Sequence, residues 1–267
     1  MQQAFQFKKK YGQNFLKNSA IIDKIVTIAS VPKNTLIVEV GPGAGALTSA
    51  LAKLNDVKVL AYEIDTSLED PLIAFMHQYP NVTIYFQDFL KSNLEEDVAA
   101  YTFDHLYFIS NVPYYITTPI IFKIIDSNLP FEKIVMMVQK EVGLRFCAKP
   151  GQKEYGALTV LLDYYFTLKK EGIVDRNQFV PKPNVDSMIV SFTERLEKEK
   201  LTDPAFFRKL VHDSFQFKRK TIRNNLKNYP LEIVEKVLHT YHYDLNVRAE
   251  QLPYSVFVDL ANALCSK

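Results

Sequence analysis

The chain has 267 residues, of which 48% are hydrophobic and 23% charged, and its formal net charge is +2. This length suits one α/β domain with a smaller domain beside it, and the composition is ordinary for a folded protein. A net charge so close to zero does not by itself indicate nucleic-acid binding. Any such prediction must rest on local clusters of basic residues. The 2 cysteines lack C-x-x-C spacing, which predicts a reducing compartment and no structural metal.

No apolar run approaches the ~18 residues of a membrane helix, and the N-terminal segment lacks the apolar core of a secretory signal. We therefore expect a cytoplasmic protein that does not engage a membrane. No long apolar face is left over to demand a second copy, so a monomer is the default expectation.

The stretch over residues 36–52 predicts a strand, a tight glycine loop and a helix. An apolar run leads into Glu39, and Gly41, Gly43 and Gly45 follow at every second position before a helical pattern begins. Glycine lets a backbone turn sharply and lets a ligand approach closely. A loop between a strand end and a helix is where α/β sheets bind nucleotides. The spacing is not the G-x-G-x-x-G of nicotinamide cofactors, so the glycines alone are a weak signal.

A carboxylate at the end of the next predicted strand sharpens this interpretation. Glu63 lies 18 positions after Gly45 (63 − 45). An acid about 20 residues past such a loop can accept hydrogen bonds from both hydroxyls of an adenosine ribose. The alternative is a tight strand–helix turn followed by a solvated carboxylate.

Strands and helices alternate over residues 21–138. Strands are predicted at 36–40, 57–62, 82–86, 106–110 and 134–138, and helices at 21–30, 67–79 and 119–127. Such alternation predicts an α/β fold in which helices cover both faces of a parallel sheet. Residues 156–166 and 187–192 are interpreted as two further strands, an antiparallel pair at one edge.

The C-terminal part of the chain has a different pattern. From Asp203 onwards the periodicity is helical, with a break at Tyr229 and Pro230. The charged segment at 194–201 has no apolar face and predicts a boundary. We expect a catalytic domain over residues 1–195 and a smaller helical domain over 196–267.

Two polar positions follow later strands of the predicted sheet. Asp88 ends the third strand, where a carboxylate can accept a hydrogen bond from the amine of a bound adenine while Phe89 packs on the ring. Asp88 could equally be a helix cap.

The fourth strand ends in Asn111, Val112, Pro113 and Tyr114, a motif that suits methylation of an amine conjugated to an aromatic ring. The side-chain carbonyl of Asn111 and the backbone carbonyl of Val112, held by the rigid Pro113, can accept both N–H groups of such an amine. These acceptors would stabilise the charge that develops as the amine attacks. Tyr114 offers a ring on which an extruded base can stack. The alternative is a proline-stiffened loop with a buried tyrosine.

Together these motifs resemble the class I S-adenosylmethionine-dependent methyltransferases that act on adenine N6. Within that class, the chain is most similar to the ribosomal RNA adenine dimethyltransferases of the KsgA family. The resemblance covers residues 10–226 and includes QNFL at 13–16, YYITTPII at 114–121, FVPKPNVDS at 179–187 and RKTIRNNL at 219–226. It implies a Rossmann-like, mostly parallel sheet with an antiparallel edge pair, a helical C-terminal RNA-binding domain and S-adenosyl-L-methionine as cofactor.

The resemblance also implies a substrate. Members of this family dimethylate N6 of two adjacent adenines in the 3′-terminal hairpin of 16S rRNA, within the immature 30S particle, and take part in small-subunit biogenesis. One alternative is a 23S rRNA adenine N6-methyltransferase of the macrolide-resistance type, which shares the fold and the catalytic loop. Another is a non-catalytic ribosome assembly factor.

Individual residues receive roles from the same resemblance. Asn14 and Leu16 would close over the methionine end of the cofactor, Gly41 would lie against it, Glu63 would hold the ribose and Asp88 the adenine. The full set implied for cofactor binding is Asn14, Leu16, Gly41, Gly43, Glu63, Asp88 and Asn111.

The catalytic roles implied by the resemblance are fewer. Asn111 would bridge the cofactor and the target base, with Val112 and Pro113 shaping the loop. Tyr114 and Phe179 would sandwich the flipped adenine, the second ring coming from the loop before the last strand.

Basic residues form two local clusters that suit RNA. The first, predicted on one helical face flanked by Phe215 and Phe217, contains Lys218, Arg219, Lys220, Arg223 and Lys227. The second contains Lys140, Arg145, Lys149 and Lys153. With Lys8, Lys9 and Lys10, they predict a surface that neutralises phosphates and reads the shape of a folded rRNA hairpin. An ordinary solvated face is the alternative for each cluster.

Overall fold

The computed structural model describes residues 14–265. The chain divides into two compact units, the first formed by Met1–Gly143 with Lys169–Thr193 and the second by Leu144–Leu168 with Glu194–Lys267. The boundary expected near residue 195 lies next to Thr193 and Glu194, where the chain passes for the last time from the first unit to the second. Leu144–Leu168 belongs to the second unit, so that unit is not one continuous segment of the chain, unlike the predicted C-terminal domain. The assignment of catalysis and RNA binding to separate domains stays a prediction.

The strands within residues 14–265 are, in chain order, β1 (Phe15–Leu16), β2 (Thr35–Val40), β3 (Val57–Tyr62), β4 (Val82–Tyr85), β5 (His105–Asn111), β6 (Phe131–Gln139), β7 (Phe166–Val174), β8 (Phe179–Val180) and β9 (Ser187–Glu194). The main sheet has the order β4-β3-β2-β5-β6-β9-β7, and β1 pairs with β8 in a small sheet of its own. Strands β2 to β6 run parallel, whereas β9 is antiparallel to β6. The predicted α/β sheet with an antiparallel edge is therefore confirmed.

The α-helices of the described part are α1 (Ser19–Ala29), α2 (Ala46–Ala52), α3 (Glu69–Gln78), α4 (Leu94–Ala99), α5 (Thr117–Asp126), α6 (Lys140–Phe146), α7 (Ala157–Tyr165), α8 (Pro204–Ser214), α9 (Ile222–Asn225), α10 (Leu231–Thr240) and α11 (Tyr254–Cys265). None of these helices, over residues 14–265, is long and apolar enough to cross a membrane. In the first unit, all residues of β2 are buried, as expected for a strand covered on both faces.

The prediction of a strand at 156–166 is wrong, because this segment forms α7. The Thr159 hydroxyl accepts a hydrogen bond from the Gly156 N–H at 3.3 Å and donates one to the Arg145 carbonyl at 2.8 Å. A hydroxyl at this position satisfies a backbone donor that the first turn of a helix leaves unpaired. The nearly continuous apolar run of this segment does not distinguish a buried strand from a buried helix.

The second unit is built on helices around an apolar core. Helix α11 packs against α7, α8 and α10, and the aromatic side chains of Phe207 and Phe257 are fully buried. The Tyr155 hydroxyl donates a hydrogen bond to the buried Leu252 carbonyl at 2.9 Å. The helical periodicity predicted from Asp203 onwards is confirmed, and α10 begins directly after Pro230, where the break was expected.

A crevice opens between β2 and β5 at the carboxyl ends of the parallel strands. The backbone pairing of these strands runs from Thr35 and His105 to Val38 and Phe108. The chain proceeds from β2 towards β4 on one side and returns to β5 on the other, so this gap is a topological switch point. Just beyond the last backbone pair, the buried Ser110 hydroxyl donates a hydrogen bond to the Val40 carbonyl at 2.7 Å.

We expect Ser110→Ala to lower the free energy of unfolding by about 1–2 kcal/mol, because it removes a buried hydrogen bond from between diverging strands. Urea denaturation measures the change. The matched control is Thr27→Ala, whose hydroxyl bonds the Asp23 carbonyl at 2.8 Å on an exposed helix face. An equal loss in the two variants would show that burial of the Ser110 bond has no special effect.

Candidate active site

One cleft of the first unit lies at the carboxyl ends of β2, β3 and β5. The space between its walls is about 960 Å³, including the part open to solvent. The predicted site residues that line it are Asn14, Leu16, Gly41, Gly43, Glu63, Asp88, Asn111, Val112, Pro113 and Tyr114. The sequence motifs at separate strand ends are therefore brought together around one space.

The glycine loop is in a conformation that other residues rarely adopt. Gly41, Gly43 and Gly45 have φ values of +74°, +55° and +77°. A Cβ atom on Gly43 would lie 2.6 Å from the ring of Phe15, so this position also requires glycine for space. The alternating glycines thus allow the loop to turn while β1 crosses close above it.

Backbone donors fix the position of the Glu63 carboxylate. Its Oε2 accepts a hydrogen bond from the Gly43 N–H at 3.1 Å, and its Oε1 accepts one from the Asp65 N–H at 2.8 Å. The pKa of Glu63 is raised overall, because the effect of burial is the largest. The two N–H groups oppose this rise, and the charge of Asp65 adds to it. Because a carboxylate has about four acceptor sites, each oxygen keeps capacity for a ligand hydroxyl.

Asp88 belongs to a turn that is fastened at both ends. Its Oδ1 accepts a hydrogen bond from the Leu90 N–H at 3.0 Å and caps the 3₁₀ turn Phe89–Lys91. Lys123 of α5 donates to the Ser92 carbonyl at 2.6 Å, which holds the far side of the turn. The helix-cap alternative is therefore confirmed, and the same residue lines the cleft, so the two interpretations are compatible.

Asn111 is oriented by the chain that precedes β1. Its side-chain Nδ2 donates a hydrogen bond to the Asn14 carbonyl at 3.3 Å. With the amide nitrogen used in this way, Oδ1 is the side-chain atom suited to accept a hydrogen bond from an amine. Pro113 lies 3.5 Å from the position that a Cβ of Gly41 would take, so the loop that follows β5 packs directly on the glycine loop.

Sequence reasoning missed the residue that anchors Tyr114. The hydroxyl oxygens of Tyr114 and Ser187 lie 2.5 Å apart, and Ser187 is fully buried at the start of β9. Burial raises the pKa of Tyr114, and the hydrogen bond with Ser187 lowers it. A ring held at its far end has fewer orientations to lose when a base stacks on it. The alternative of a buried tyrosine holds only in part, because Tyr114 is partly buried and also lines the cleft.

Phe179 does not line the cleft. Its ring is 2% exposed and belongs to the apolar core of the first unit, and its residue pairs with Leu16 between β8 and β1. Its role as the second stacking ring stays a prediction, and that role requires the ring to become exposed.

The first basic cluster has a different shape from the one expected. Residues 215–221 form turns that precede the short helix α9, so a single helical face is wrong. The buried Asn225 holds these turns, because its Nδ2 donates to the carbonyls of Ser214 at 2.8 Å and Phe217 at 3.3 Å. We call the exposed segment that they present, Lys218, Arg219 and Lys220, the basic turn.

Arg145, Lys149 and Lys153 of the second cluster belong to the second unit, whereas Lys140 belongs to the first, and Lys153 contacts the first cluster. The Lys218 ammonium donates a hydrogen bond to the Lys153 carbonyl at 2.9 Å. Phe217 is 56% exposed beside the basic turn, whereas Phe215 packs on Phe257 with ring centroids 5.7 Å apart. Only Phe217 of the two predicted flanking rings is therefore strongly exposed. The lysines at 8–10 lie outside the described residues.

Glu39, which precedes the glycine loop, is a buried acid in the wall of the cleft. Glu39 is 1% exposed, and among residues 14–265 neither its Oε2 nor the Thr48 hydroxyl has a hydrogen-bond partner. Burial raises the pKa of Glu39 to about 8, and the charge of Glu63 adds to the rise. Buried polar atoms normally have partners, so these two atoms suit a ligand or water that donates hydrogen bonds.

We expect the pKa of Glu39 to make the free energy of unfolding depend on pH. The unfolded carboxyl ionises near its ordinary value of 4.5, whereas the folded one keeps its proton up to about 8. Between these values the native state binds the extra proton, so stability falls by about 1.4 kcal/mol per pH unit as the pH rises. Urea denaturation between pH 5.5 and 8 should show that Glu39→Gln removes this slope. The same slope in both proteins would contradict the assignment.

The family model for ribosomal RNA adenine dimethylase matches residues 4–265 of the chain. The relative called ribosomal RNA small subunit methyltransferase A from Streptococcus gordonii is 42% identical over 272 residues, covering 98% of this chain and 93% of the relative. A protein of the same name from Bacillus mycoides is 41% identical, covering 97% of this chain and 92% of the relative.

Two solved structures share the fold over nearly the whole chain. A dimethyladenosine transferase from Plasmodium falciparum has a TM-score of 0.77 and 27% identity, covering 92% of this chain and 95% of that one. The 23S rRNA methyltransferase ErmE has a TM-score of 0.71 and 26% identity, covering 94% of this chain and 100% of that one. The resemblance stated from the motifs is confirmed, and the chain belongs to the ribosomal RNA adenine dimethylase family.

Proposed function

We propose that this protein transfers methyl groups from S-adenosyl-L-methionine to N6 of two adjacent adenines in the 3′-terminal hairpin of 16S rRNA. It acts on the immature 30S particle and takes part in small-subunit biogenesis, as a monomer in the cytoplasm. One observation carries the proposal: Asn111 and Tyr114 line the same cleft as Glu63 and Asp88. An amine-methylating motif thus opens onto a site suited to an adenosine.

The cleft supports S-adenosylmethionine as the cofactor. Glu63 would hold the ribose hydroxyls, and Asp88 would accept from the adenine amine. Glu39 lines the same cleft, and its unsatisfied Oε2 provides a buried polar atom for a hydrogen bond with the methionine end. When bound, this cofactor supplies an electrophilic methyl group.

The catalytic loop supports transfer to an exocyclic amine. The transfer would join N6 to the methyl carbon as the C–S bond of the cofactor breaks, and the resulting N6 cation would lose a proton to water. Asn111 Oδ1 and the Val112 carbonyl would accept from the amine and stabilise the developing positive charge. Tyr114, fixed by Ser187, would stack on the extruded base. No ionisable general base is needed, because the methylated amine is acidic.

The names of the relatives bear on which ribosomal RNA is methylated. The relatives at 42% and 41% identity are both named for the small subunit, whereas the 23S enzyme ErmE is 26% identical. The small-subunit substrate is therefore the favoured one. ErmE nevertheless matches over its whole length, so a large-subunit substrate is the second candidate.

The decisive experiment is primer extension on small-subunit particles that lack the modification, incubated with the protein and S-adenosylmethionine. Dimethylated adenine cannot form its Watson–Crick pair, so reverse transcriptase stops there. We expect paired stops in the 3′-terminal hairpin, reduced at least 100-fold by Asn111→Ala, because this variant loses an acceptor that acts in the transition state. Tyr114→Ala should also abolish the stops, and Thr27→Ala should leave them unchanged.

Other outcomes of this assay point elsewhere. A stop only on 23S rRNA would assign the protein to the macrolide-resistance type. Absence of stops on both RNAs, with particle binding retained, would leave a non-catalytic assembly factor.

A second prediction concerns the basic turn. Replacing Lys218, Arg219 and Lys220 by glutamine should weaken particle binding and reduce the dependence of log affinity on log salt by about 2–3, because each lysine or arginine releases counterions from phosphate. Filter binding from 50 to 300 mM salt measures both. Glutamines at the exposed Lys33, Lys53 and Lys236 are the matched control. An unchanged salt slope would place RNA contact elsewhere.

A further inference from the structure

Phe217 is the only phenylalanine within residues 14–265 whose side chain is mostly exposed, and the proposed reaction gives it no role. Its exposed fraction is 56%, and it directly precedes the basic turn. Single exposed apolar side chains are common and by themselves indicate no function. What distinguishes Phe217 is the backbone that carries its ring and the charges beside it.

The backbone of Phe217 is held by three hydrogen bonds. Its N–H donates to Oδ1 of the buried Asn225 at 3.1 Å, and its carbonyl accepts from Nδ2 of the same residue at 3.3 Å. The carbonyl also accepts a hydrogen bond from the Lys220 N–H at 2.8 Å. The ring is therefore presented on a fixed backbone, so a partner that covers it orders few additional bonds of the protein.

The charges beside the ring favour a polyanion as the partner. Lys218, Arg219 and Lys220 follow Phe217 directly, and all three are exposed. An apolar groove on another protein would cover the ring only by removing water from these cations, which costs free energy. A chain of phosphates would instead gain from them.

A paired RNA helix has little to offer an aromatic ring. Its bases are stacked inside, and its outer surface consists of phosphates and 2′-hydroxyls. An unpaired nucleotide in a loop or bulge presents a phosphate for the basic turn and a base face for the ring. Stacking uses the π-face that every base has, so it tolerates any sequence.

We propose that Phe217 and the basic turn form an RNA site of the second unit, in which the ring stacks on an unpaired base while the cations bind its phosphates. The inference rests on the proposed function for the identity of the RNA, which the ribosomal particle supplies. This site adds a requirement for an unpaired nucleotide to contacts that would otherwise neutralise phosphates alone. It thereby distinguishes a loop from a paired helix.

The first test compares side chains at position 217 for binding to immature small-subunit particles. We expect Phe217→Ala and Phe217→Leu each to weaken binding about 10-fold and Phe217→Tyr to stay within about 2-fold, because stacking needs an aromatic face. The salt dependence of log affinity should be unchanged in all three variants, since the ring releases no counterions. Ile173, which is also 56% exposed but lies on the edge strand β7, supplies the matched control Ile173→Ala.

The second test uses the absence of tryptophan from the chain. Phe217→Trp places the only indole at the proposed stacking position, and stacking on a nucleobase quenches indole fluorescence. The probes are an RNA hairpin with an unpaired loop and a long, fully paired RNA duplex, compared at equal phosphate concentration. Where filter binding shows both RNAs bound, we expect strong quenching by the hairpin and little by the duplex. Ile173→Trp should keep its fluorescence with both.

Three results would overturn the inference while the proposed function stands. Unchanged affinity of Phe217→Ala would show that the RNA does not contact the ring. Equal affinity of Phe217→Leu and the unaltered protein would assign the ring to an apolar contact with a ribosomal protein. Equal quenching by hairpin and duplex would show that the site does not select unpaired nucleotides. Neither test needs methyl transfer, so the expected binding without methylation would overturn the proposed reaction alone.

Discussion

The divergence of two neighbouring parallel strands governs the rest of this structure. Backbone pairing between β2 and β5 ends at Val38 and Phe108, and the Ser110 hydroxyl bonds the Val40 carbonyl beyond it. The strands stay joined while their following loops separate, so the glycine loop and the loop after β5 touch at Gly41 and Pro113 and leave a gap, the cleft, beside that contact. Backbone pairing that continued to the ends of β2 and β5 would bring the two loops together and close that gap. Weaker pairing would leave the positions of the two loops less well fixed. The packing of Pro113 on Gly41 depends on this balance.

The motifs predicted which residues would meet at one edge of the sheet, because each follows from local chemistry at a strand end. The glycine loop, Glu63, Asp88 and the Asn111 motif all reach one cleft, as the carboxyl ends of parallel strands must. What the sequence could not give was the partner of each group. Ser187, the partner of Tyr114, lies 73 positions from it along the chain. Such pairs depend on how distant elements pack, and local patterns do not carry that information.

The wrong predictions have physical causes of the same kind. The run at 157–165 is apolar on nearly every side because α7 is covered by other helices of its unit, which removes the polar stripe that marks a surface helix. The spacing of the basic residues near 219 predicts one helical face. Instead, the buried amide of Asn225 bonds several carbonyls and ends the helix early. Phe179 shows the remaining limit, since its type suits stacking while its ring lies in the core.

The excursion of Leu144–Leu168 into the second unit has a consequence for the order of folding. During synthesis from the N-terminus, this segment emerges well before Glu194–Lys267, with which it packs. The edge of the first sheet is also incomplete then, because Gln139 of β6 pairs with Ser187 of β9. Val160 and Leu162, which are buried in the folded protein, lack their final neighbours until those later residues have been synthesised. Neither unit can therefore complete its fold before part of the other has been synthesised. A nascent chain stopped after Leu168 would expose apolar surface of both units.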